Sequence, residues 1–204
     1  VPKVRLGGGR GFAKAANAGL GAVRTPTAVL LNDDAAPAPG CLERLAAVGG
    51  LSGPVLVGPR GVESAGMRVR SWGRVTQITE VPAANARVDA LSGACLHLPA
   101  ALRFDERFRH GGEDVELCRR VGGGTIVVGA RCWHEGGATL DRRSGAAQRH
   151  AVAGQLRLVA PGWRDLVVVG LNLAQVARER GPVERLGAIR AGWRDARGGA
   201  SDPR

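Results

Sequence analysis

The sequence predicts an α/β domain built on a mixed, mostly parallel sheet with flanking helices, followed by a helical extension. Two apolar runs, residues 28–31 and 55–57, are continuous rather than alternating, as in strands buried on both faces. Such runs alternate with helical segments over short connections, which is the pattern of a layered α/β fold. From Asp141 onward the pattern is helical. We therefore expect an α/β domain over residues 1–140 and a basic helical extension over residues 141–204.

The predicted elements of the first domain follow in a regular order. Strands are expected at 1–6, 28–31, 55–57 and 125–128, with a buried return to the core over 88–98. Helices are expected at 12–20, 41–48, 99–104 and 115–121. Residues 60–87 are polar and irregular, and we interpret them as an excursion over the face of the sheet.

The charge of the chain favours an anionic partner. The net charge is +11 over 204 residues, of which residues 1–140 carry +5 and the shorter residues 141–204 carry +6. Nucleotide phosphates, nucleic acid and an acidic membrane surface all fit this excess. The basic residues are scattered, without interleaved aromatic residues or a nucleic-acid-binding module, so nucleic acid is the least favoured of the three.

The cysteines and the apolar segments restrict the class of protein further. None of the four cysteines forms a C-x-x-C pair, so zinc is not indicated, and we expect reduced thiols in a cytoplasmic protein without a signal peptide. No apolar stretch reaches the length that crosses a bilayer. Residues 166–176 form one apolar side of a helix. Packing against the domain is the favoured use of that side, and peripheral contact with the inner face of a membrane is the alternative.

Three polar groups follow predicted strands or open a predicted helix, where the chemistry of α/β sheets collects. The first is Asn32-Asp33-Asp34, whose carboxylates can hold a hard divalent cation. The second is Glu113-Asp114, a pair in which one carboxylate can take a proton from an attacking hydroxyl while the other orients that hydroxyl. The third is His134, a metal-ligand type of residue beside glycines. Each also has an ordinary interpretation, as a surface turn, as acids at a helix start, or as an isolated histidine.

Six motifs surround these groups in order along the chain. They are GFAKAANAG at 11–19, LLNDD at 30–34 with Pro39-Gly40 after it, LSGAC at 91–95, FDERF at 104–108, GEDVELC at 112–118 and HEGG at 134–137. Taken together, they resemble glycosyltransferase family 2, which has a GT-A fold and inverts the anomeric configuration. The resemblance covers about residues 4–140 and extends to bacterial rhamnosyltransferases of that family.

The resemblance implies a nucleotide-diphosphate sugar as donor and Mg or Mn as cofactor. By similarity, Asp34 would coordinate the metal and His134 would add a metal or diphosphate contact. Asn32 and Asp33 would lie near the ribose and diphosphate, with Gly11 and Asn17 also on the donor side.

The resemblance also implies an acceptor site for a glycan or lipid-linked hydroxyl, in the biosynthesis of cell-wall or surface polysaccharide. Asp114 would be the general base, with Glu113 beside it. Gly93 and Ala94 would form the floor of this site, and Trp72 is the best acceptor candidate among the tryptophans.

Two departures from the family pattern motivate a second hypothesis. The family's first strand would precede Val1, so we expect a GT-A-like fold without its first strand or strands. Gly9 also stands where the family often has Asn. The alternative function is therefore a catalytically incomplete GT-A-like binding module or fragment.

Overall fold

The computed structural model describes residues 11–108, 111–135, 144–179 and 184–198. Four features of the sequence analysis lie outside these residues. They are the strand predicted at 1–6, Gly9, the last two glycines of the HEGG motif and the domain boundary at 140/141. The first domain contains three described helices and nine strands. They are α1 Phe12–Ala22, β1 Thr27–Leu31, β2 Ala35–Pro37, α2 Cys41–Val48, β3 Ser52–Gly58, β4 Gly61–Ser64, β5 Met67–Val69, β6 Val75–Gln77, β7 Ala86–Val88, β8 Cys95–Pro99, α3 Glu113–Arg120 and β9 Gly124–His134.

The central sheet has the strand order β1-β8-β3-β9-β2, with β4 added to β3 and β7 to β9. The strands β3 and β9 are parallel, and the other paired strands within the described residues are antiparallel. The α/β class and the mixed sheet are therefore confirmed, although parallel pairing is less extensive than predicted. A separate hairpin, β5-β6, covers part of the polar excursion.

The apolar runs form strands because both faces of the sheet are covered. On one face, Leu20 of α1 and Leu117 of α3 join a core with Val55, Leu96 and other strand residues. On the other face, Leu45 of α2 packs in a second core that includes Leu56 and Cys132. The strand β3 is buried along almost its whole length. Its side chains therefore point into a core on each face of the sheet, which explains its continuous apolar run.

The helix predicted at 99–104 is wrong. Pro99 ends β8 opposite Thr27, and Leu102 closes a turn onto the Pro99 carbonyl at 3.1 Å. The side-chain amide of Asn17 then binds both the N–H and the carbonyl of Phe104, at 2.8 and 2.9 Å. These bonds take backbone groups of Phe104 that a helix would have used, so the segment does not form a helix.

The helical extension is confirmed over its described residues as α4 Gly145–Arg157, α5 Trp163–Arg178 and α6 Glu184–Arg197. The three helices share a core that includes Val152, Leu156, Val168, Val176 and Ile189. A buried polar network also joins them, in which Gln148 donates to Asn172 at 2.6 Å and Arg185 donates to Gln148 at 2.6 Å. Within the described ranges, no helix is both long and apolar enough to cross a membrane.

The extension packs directly on the sheet domain through α4. Arg119 of α3 donates to the Leu158 carbonyl at 2.6 Å, and Arg157 lies over the ring of Phe108. A methyl group placed on Gly154 would lie 3.0 Å from the Gly111 carbonyl oxygen, so the two backbones are in close contact. The extension therefore touches the turn that leads into α3.

Candidate active site

One edge of the sheet gathers the polar groups that the sequence predicts. Both β1 and β3 are antiparallel to β8, and β9 is parallel to β3, so β1, β3 and β9 run in one direction. Their carboxyl ends, at Leu31, Gly58 and His134, therefore meet at the same edge. The Ser92–Ala94 segment enters β8 at that edge as well.

Asp34 and His134 come together at this edge because β2 pairs with the end of β9. Ala35 stands opposite His134, and the Glu135 N–H donates to the Asp34 carbonyl at 3.0 Å. This pairing leaves the Asp34 Oδ1 atom 3.4 Å from His134 Nε2. The Asp34 Oδ1 atom is buried and accepts no hydrogen bond from the described residues.

Glu63, which no sequence motif indicates, holds the other nitrogen of the same ring. The β3–β4 hairpin pairs Gly58 with Gly61 and carries Glu63 to the imidazole, where His134 Nδ1 lies 2.8 Å from Glu63 Oε2. A carboxylate only accepts hydrogen bonds, so Nδ1 is the protonated nitrogen. The approach is close, since a methyl group on Gly58 would lie 3.1 Å from the His134 carbonyl oxygen.

This arrangement makes the edge suitable for a cation. With Nδ1 donating to Glu63, the neutral ring presents the lone pair of Nε2 towards the partnerless Asp34 Oδ1. Two electron-rich atoms that face each other require a positive charge between them, from a metal ion or a second proton on the ring. A carboxylate behind a metal-binding histidine is a common device for orienting it. Within the described part of the chain, no cluster of three or more His, Cys, Asp or Glu side chains can hold a metal. The described residues thus supply two protein ligands at most, Asp34 and His134.

The loop after β1 is attached to the segment before β8. The Asn32 N–H donates to the Ala94 carbonyl at 2.9 Å, and its own carbonyl accepts from the Ala35 N–H at 3.2 Å. Asn32 is half-buried, whereas Asp33 is exposed. The loop therefore presents one sheltered and one open polar side chain beside Asp34.

Glu113 and Asp114 open α3 directly after Gly112, whose φ of 91° is one that glycine adopts readily. Asp114 Oδ2 accepts from the Gly93 N–H at 3.0 Å, and its Oδ1 accepts from the Val115 N–H at 2.8 Å. These bonds fix the Asp114 carboxylate against the segment that the sequence predicts as the acceptor floor.

The two carboxyl groups of this pair have unequal environments. Glu113 is 7 % exposed, and its buried Oε2 has no partner among the described residues. Burial and the neighbouring Asp114 charge raise the pKa of Glu113 to about 8. The pKa of Asp114 is also raised, because its burial outweighs the hydrogen bonds that its carboxylate accepts from backbone N–H groups. At neutral pH, Glu113 therefore carries a proton, and Asp114 is the member of the pair that has hydrogen-bond donors favouring its ionised form.

A continuous set of contacts links this pair to the Asp34–His134 edge. Asp114 binds Gly93, the next residue Ala94 binds Asn32, and Asn32 precedes the Asp34 that faces His134. The structure thus brings Asp34, His134, Asn32, Gly93, Ala94 and Asp114 into one connected region, with Asp33 and Glu113 beside it.

The other predicted site residues are not joined to this region by described contacts. Asn17 uses both amide N–H groups, to Phe104 and Glu106, and its oxygen accepts from Phe104, so its side chain serves the fold. Gly11 precedes α1 with a φ of 79°. Trp72 is half-buried in the β5–β6 turn, where the adjacent Gly73 lies against α4.

One further residue supports the site, although the sequence analysis assigns it no role. Phe12, at the start of α1, packs edge-on against Phe104 with 5.6 Å between ring centroids. A methyl group on Gly93 would lie 3.0 Å from Phe12 Cζ, so the ring supports the segment that binds Asp114. A shallow depression of about 330 Å³, lined in part by Arg87 and Gly123, lies at the amino end of β9 and does not belong to this region.

Comparison with known proteins identifies the fold. No family model and no curated protein matches the sequence. Among solved structures that match, one is the crystal structure of GalNAc-T7 with UDP, GalNAc and Mn2+, with a TM-score of 0.53 and 15 % identity. The match covers 71 % of this chain and 34 % of that chain, so this chain spans about a third of the length of its structural neighbour. The chain therefore has a GT-A-like fold.

Proposed function

We propose that this chain is a glycosyltransferase that moves a sugar from a nucleoside-diphosphate donor to a hydroxyl group of a glycan or lipid-linked acceptor. The observation that carries the proposal is the buried, partnerless Asp34 Oδ1 facing a histidine that Glu63 orients. The GT-A-like fold supports it, since the structural neighbour contains UDP, GalNAc and Mn2+. The order of the sequence motifs favours family 2 over other GT-A families, and a rhamnosyl donor is proposed only from the resemblance to bacterial members of that family.

Asp34 and His134 are the residues that would hold a divalent cation, Mn or Mg. An oxygen and an imidazole nitrogen together suit Mn, and oxygen donors from a diphosphate would complete the ligand set for either ion. When bound, such a cation offsets the charge on a leaving diphosphate. On the donor side, the open Asp33 and the sheltered Asn32 would contact the ribose and phosphates.

Asp114 is the proposed general base. Its carboxylate takes the proton from the acceptor hydroxyl, whose oxygen forms a bond to the anomeric carbon as the bond to the donor diphosphate breaks. The Gly93 and Val115 N–H groups hold the carboxylate in place at 3.0 and 2.8 Å. Glu113, whose pKa is raised to about 8, keeps its proton at neutral pH and so does not compete with Asp114 for the proton of the acceptor.

Inversion of the anomeric configuration follows from this scheme. A single displacement with one base, on the side of the sugar opposite to the diphosphate, inverts the anomeric carbon.

Four buried cysteines without disulfides suit a reducing compartment, so we place the reaction in the cytoplasm.

A screen of nucleotide sugars with Mn2+ tests the proposal, with release of the nucleoside diphosphate as the readout. We expect Asp114→Asn to reduce turnover by about a thousandfold, within the range for loss of a general base. The same variant should keep nucleotide affinity within twofold. Full turnover in Asp114→Asn would remove it from the base role. Nucleotide binding without turnover on any donor would favour the alternative, a GT-A-like module without transfer activity.

A further inference from the structure

The outer face of α5 is apolar along its whole length. It consists of residues at spacings of three, four and seven, all of them exposed: Trp163, Leu166, Gly170, Leu173, Ala174 and Ala177. Trp163 is 63 % exposed, Leu166 is 77 % exposed and Leu173 is 41 % exposed. No charged residue interrupts this series of positions.

This face is not used by the bundle to which α5 belongs. The opposite face of α5, with Val168, Asn172 and Val176, already fills the core shared with α4 and α6. On the outer face, Arg164 of the same helix lies over the Trp163 ring at 5.0 Å from its centroid, and none of the outer-face residues belongs to the core that the described helices share. Contiguous exposed apolar residues on one side of a helix are a feature of docking surfaces.

Arginines without an ion pair supply most of the uncompensated charge of α5 and α6. Within the described residues no carboxylate forms an ion pair with Arg164, Arg178, Arg190 or Arg194. The acidic residues of the same helices are largely neutralised, because Asp165 pairs with Arg197, Glu179 with Arg185 and Asp195 with Arg149. The surface therefore combines apolar contact area with uncompensated positive charge.

The helix α6 also carries exposed apolar residues together with arginines. Leu186 and Trp193 stand seven residues apart on α6, at 44 % and 43 % exposure, with Arg190 and Arg194 close to them in sequence. Leucine and tryptophan on one side with arginines alongside is the composition of helices that lie in a membrane interface.

We infer that the outer face of α5 binds the surface of an anionic lipid bilayer, with the helix lying in the plane of the membrane. A helix of 16 residues is about 24 Å long, shorter than a hydrocarbon core of about 30 Å, so it suits a surface position. A second copy of the chain fits less well. A two-fold interface would bring the arginines of both copies together without carboxylates between them. This inference does not depend on the proposed transfer activity.

Co-sedimentation of the full chain with vesicles tests the inference. Vesicles of phosphatidylcholine alone are compared with vesicles of equal phosphatidylcholine and phosphatidylglycerol, at low and at physiological salt. We expect binding to the anionic vesicles that weakens with salt, and at least tenfold less binding to the neutral ones.

Two pairs of substitutions separate the apolar and the charged contributions. Leu166→Gln with Leu173→Gln should weaken vesicle binding by tenfold or more, whereas Val48→Gln, at an exposed apolar position on α2, should not. Arg190→Gln with Arg194→Gln should weaken binding by roughly thirtyfold. Arg60→Gln with Arg70→Gln removes the same charge from exposed positions of the sheet domain and should have a smaller effect. Circular dichroism of each variant checks that the fold is kept.

Three results would overturn the inference. The first is no binding to either vesicle, and the second is equal binding to both without salt dependence. The third is a dimer, seen by sedimentation equilibrium, that the two leucine substitutions dissociate, since this would assign the face to a second copy of the chain.

Discussion

Replacement of Glu63 by Ala should weaken metal binding while leaving the two proposed ligands in the chain. Glu63 Oε2 lies 2.8 Å from His134 Nδ1 and fixes both the ring orientation and the position of its proton. Without it, Nε2 can rotate away from Asp34 Oδ1 or become the protonated nitrogen. Losses of tenfold to a hundredfold in metal affinity are typical when such a carboxylate is removed, which corresponds to about 1.4 to 2.7 kcal/mol.

Mn2+ titration followed by electron paramagnetic resonance measures this affinity, in the presence of saturating UDP. Glu63→Gln keeps an oxygen that can accept from Nδ1–H, so we expect it to retain more affinity than Glu63→Ala. Glu80→Ala removes an exposed glutamate of the same polar excursion and serves as the matched control. Unchanged Mn2+ affinity in Glu63→Ala, or an equal loss in Glu80→Ala, would refute the assignment of Glu63 as the residue that orients His134.

Two further predictions concern the base and the segment that holds it. The pKa of Glu113 is raised from its ordinary 4.5 to about 8, so the folded protein keeps a proton that the unfolded chain releases between these values. The free energy of unfolding should therefore fall as pH rises through this window, by up to about 1.4 kcal/mol per pH unit for this group. Glu113→Gln should flatten that slope in urea unfolding at a series of pH values, and an unchanged slope would contradict the burial argument. Gly93→Ala places a methyl group 3.0 Å from Phe12 Cζ and should cost about 1 to 3 kcal/mol in denaturant unfolding. Gly21→Ala, in α1 with nothing within 4 Å, should instead stabilise by up to about 1 kcal/mol, and equal effects of the two would argue against crowding at Gly93.

Much of the fold and most of the connected site could be predicted because strong local patterns coincide with tertiary position. The helix predicted at 41–48 is observed as α2 Cys41–Val48, and the strand at 28–31 is observed as β1 Thr27–Leu31. Since polar residues that follow parallel strands meet at one edge, Asp34 and His134 were expected to approach each other. Their 3.4 Å separation agrees with that expectation.

Glu63 shows what the sequence could not provide. It lies within the polar excursion, and its position beside His134 depends on the β3–β4 pairing and on a register shift between Leu56 and Val57. A single acidic residue in a polar loop carries no signal of such a register. Sheet pairing, rather than any local motif, decides which acid supports the histidine.

The segment after β8 shows a local prediction that a distant side chain overrides. The side-chain amide of Asn17 binds Phe104 and Glu106. These bonds hold the segment in a non-helical conformation where a helix was predicted. Propensity suggested a helix there because it does not include hydrogen bonds to a side chain 87 residues away.

The contact between α4 and the turn before α3 was also outside the reach of the sequence. The extension was divided from the domain on composition, yet Gly154 lies against Gly111, two residues before Glu113. Small residues permit this approach, but glycines are frequent throughout the chain and so mark no particular contact.

Calorimetric titration of UDP, GDP and dTDP into the chain, with and without Mn2+, tests the central claim most directly. The account predicts nucleotide binding that requires Mn2+, is lost in Asp34→Asn, and keeps its Mn2+ dependence in Asp33→Asn, because the exposed Asp33 side chain is not a proposed ligand. Binding of equal strength without Mn2+, or in Asp34→Asn, would contradict the assignment of Asp34 and His134 as the cation site.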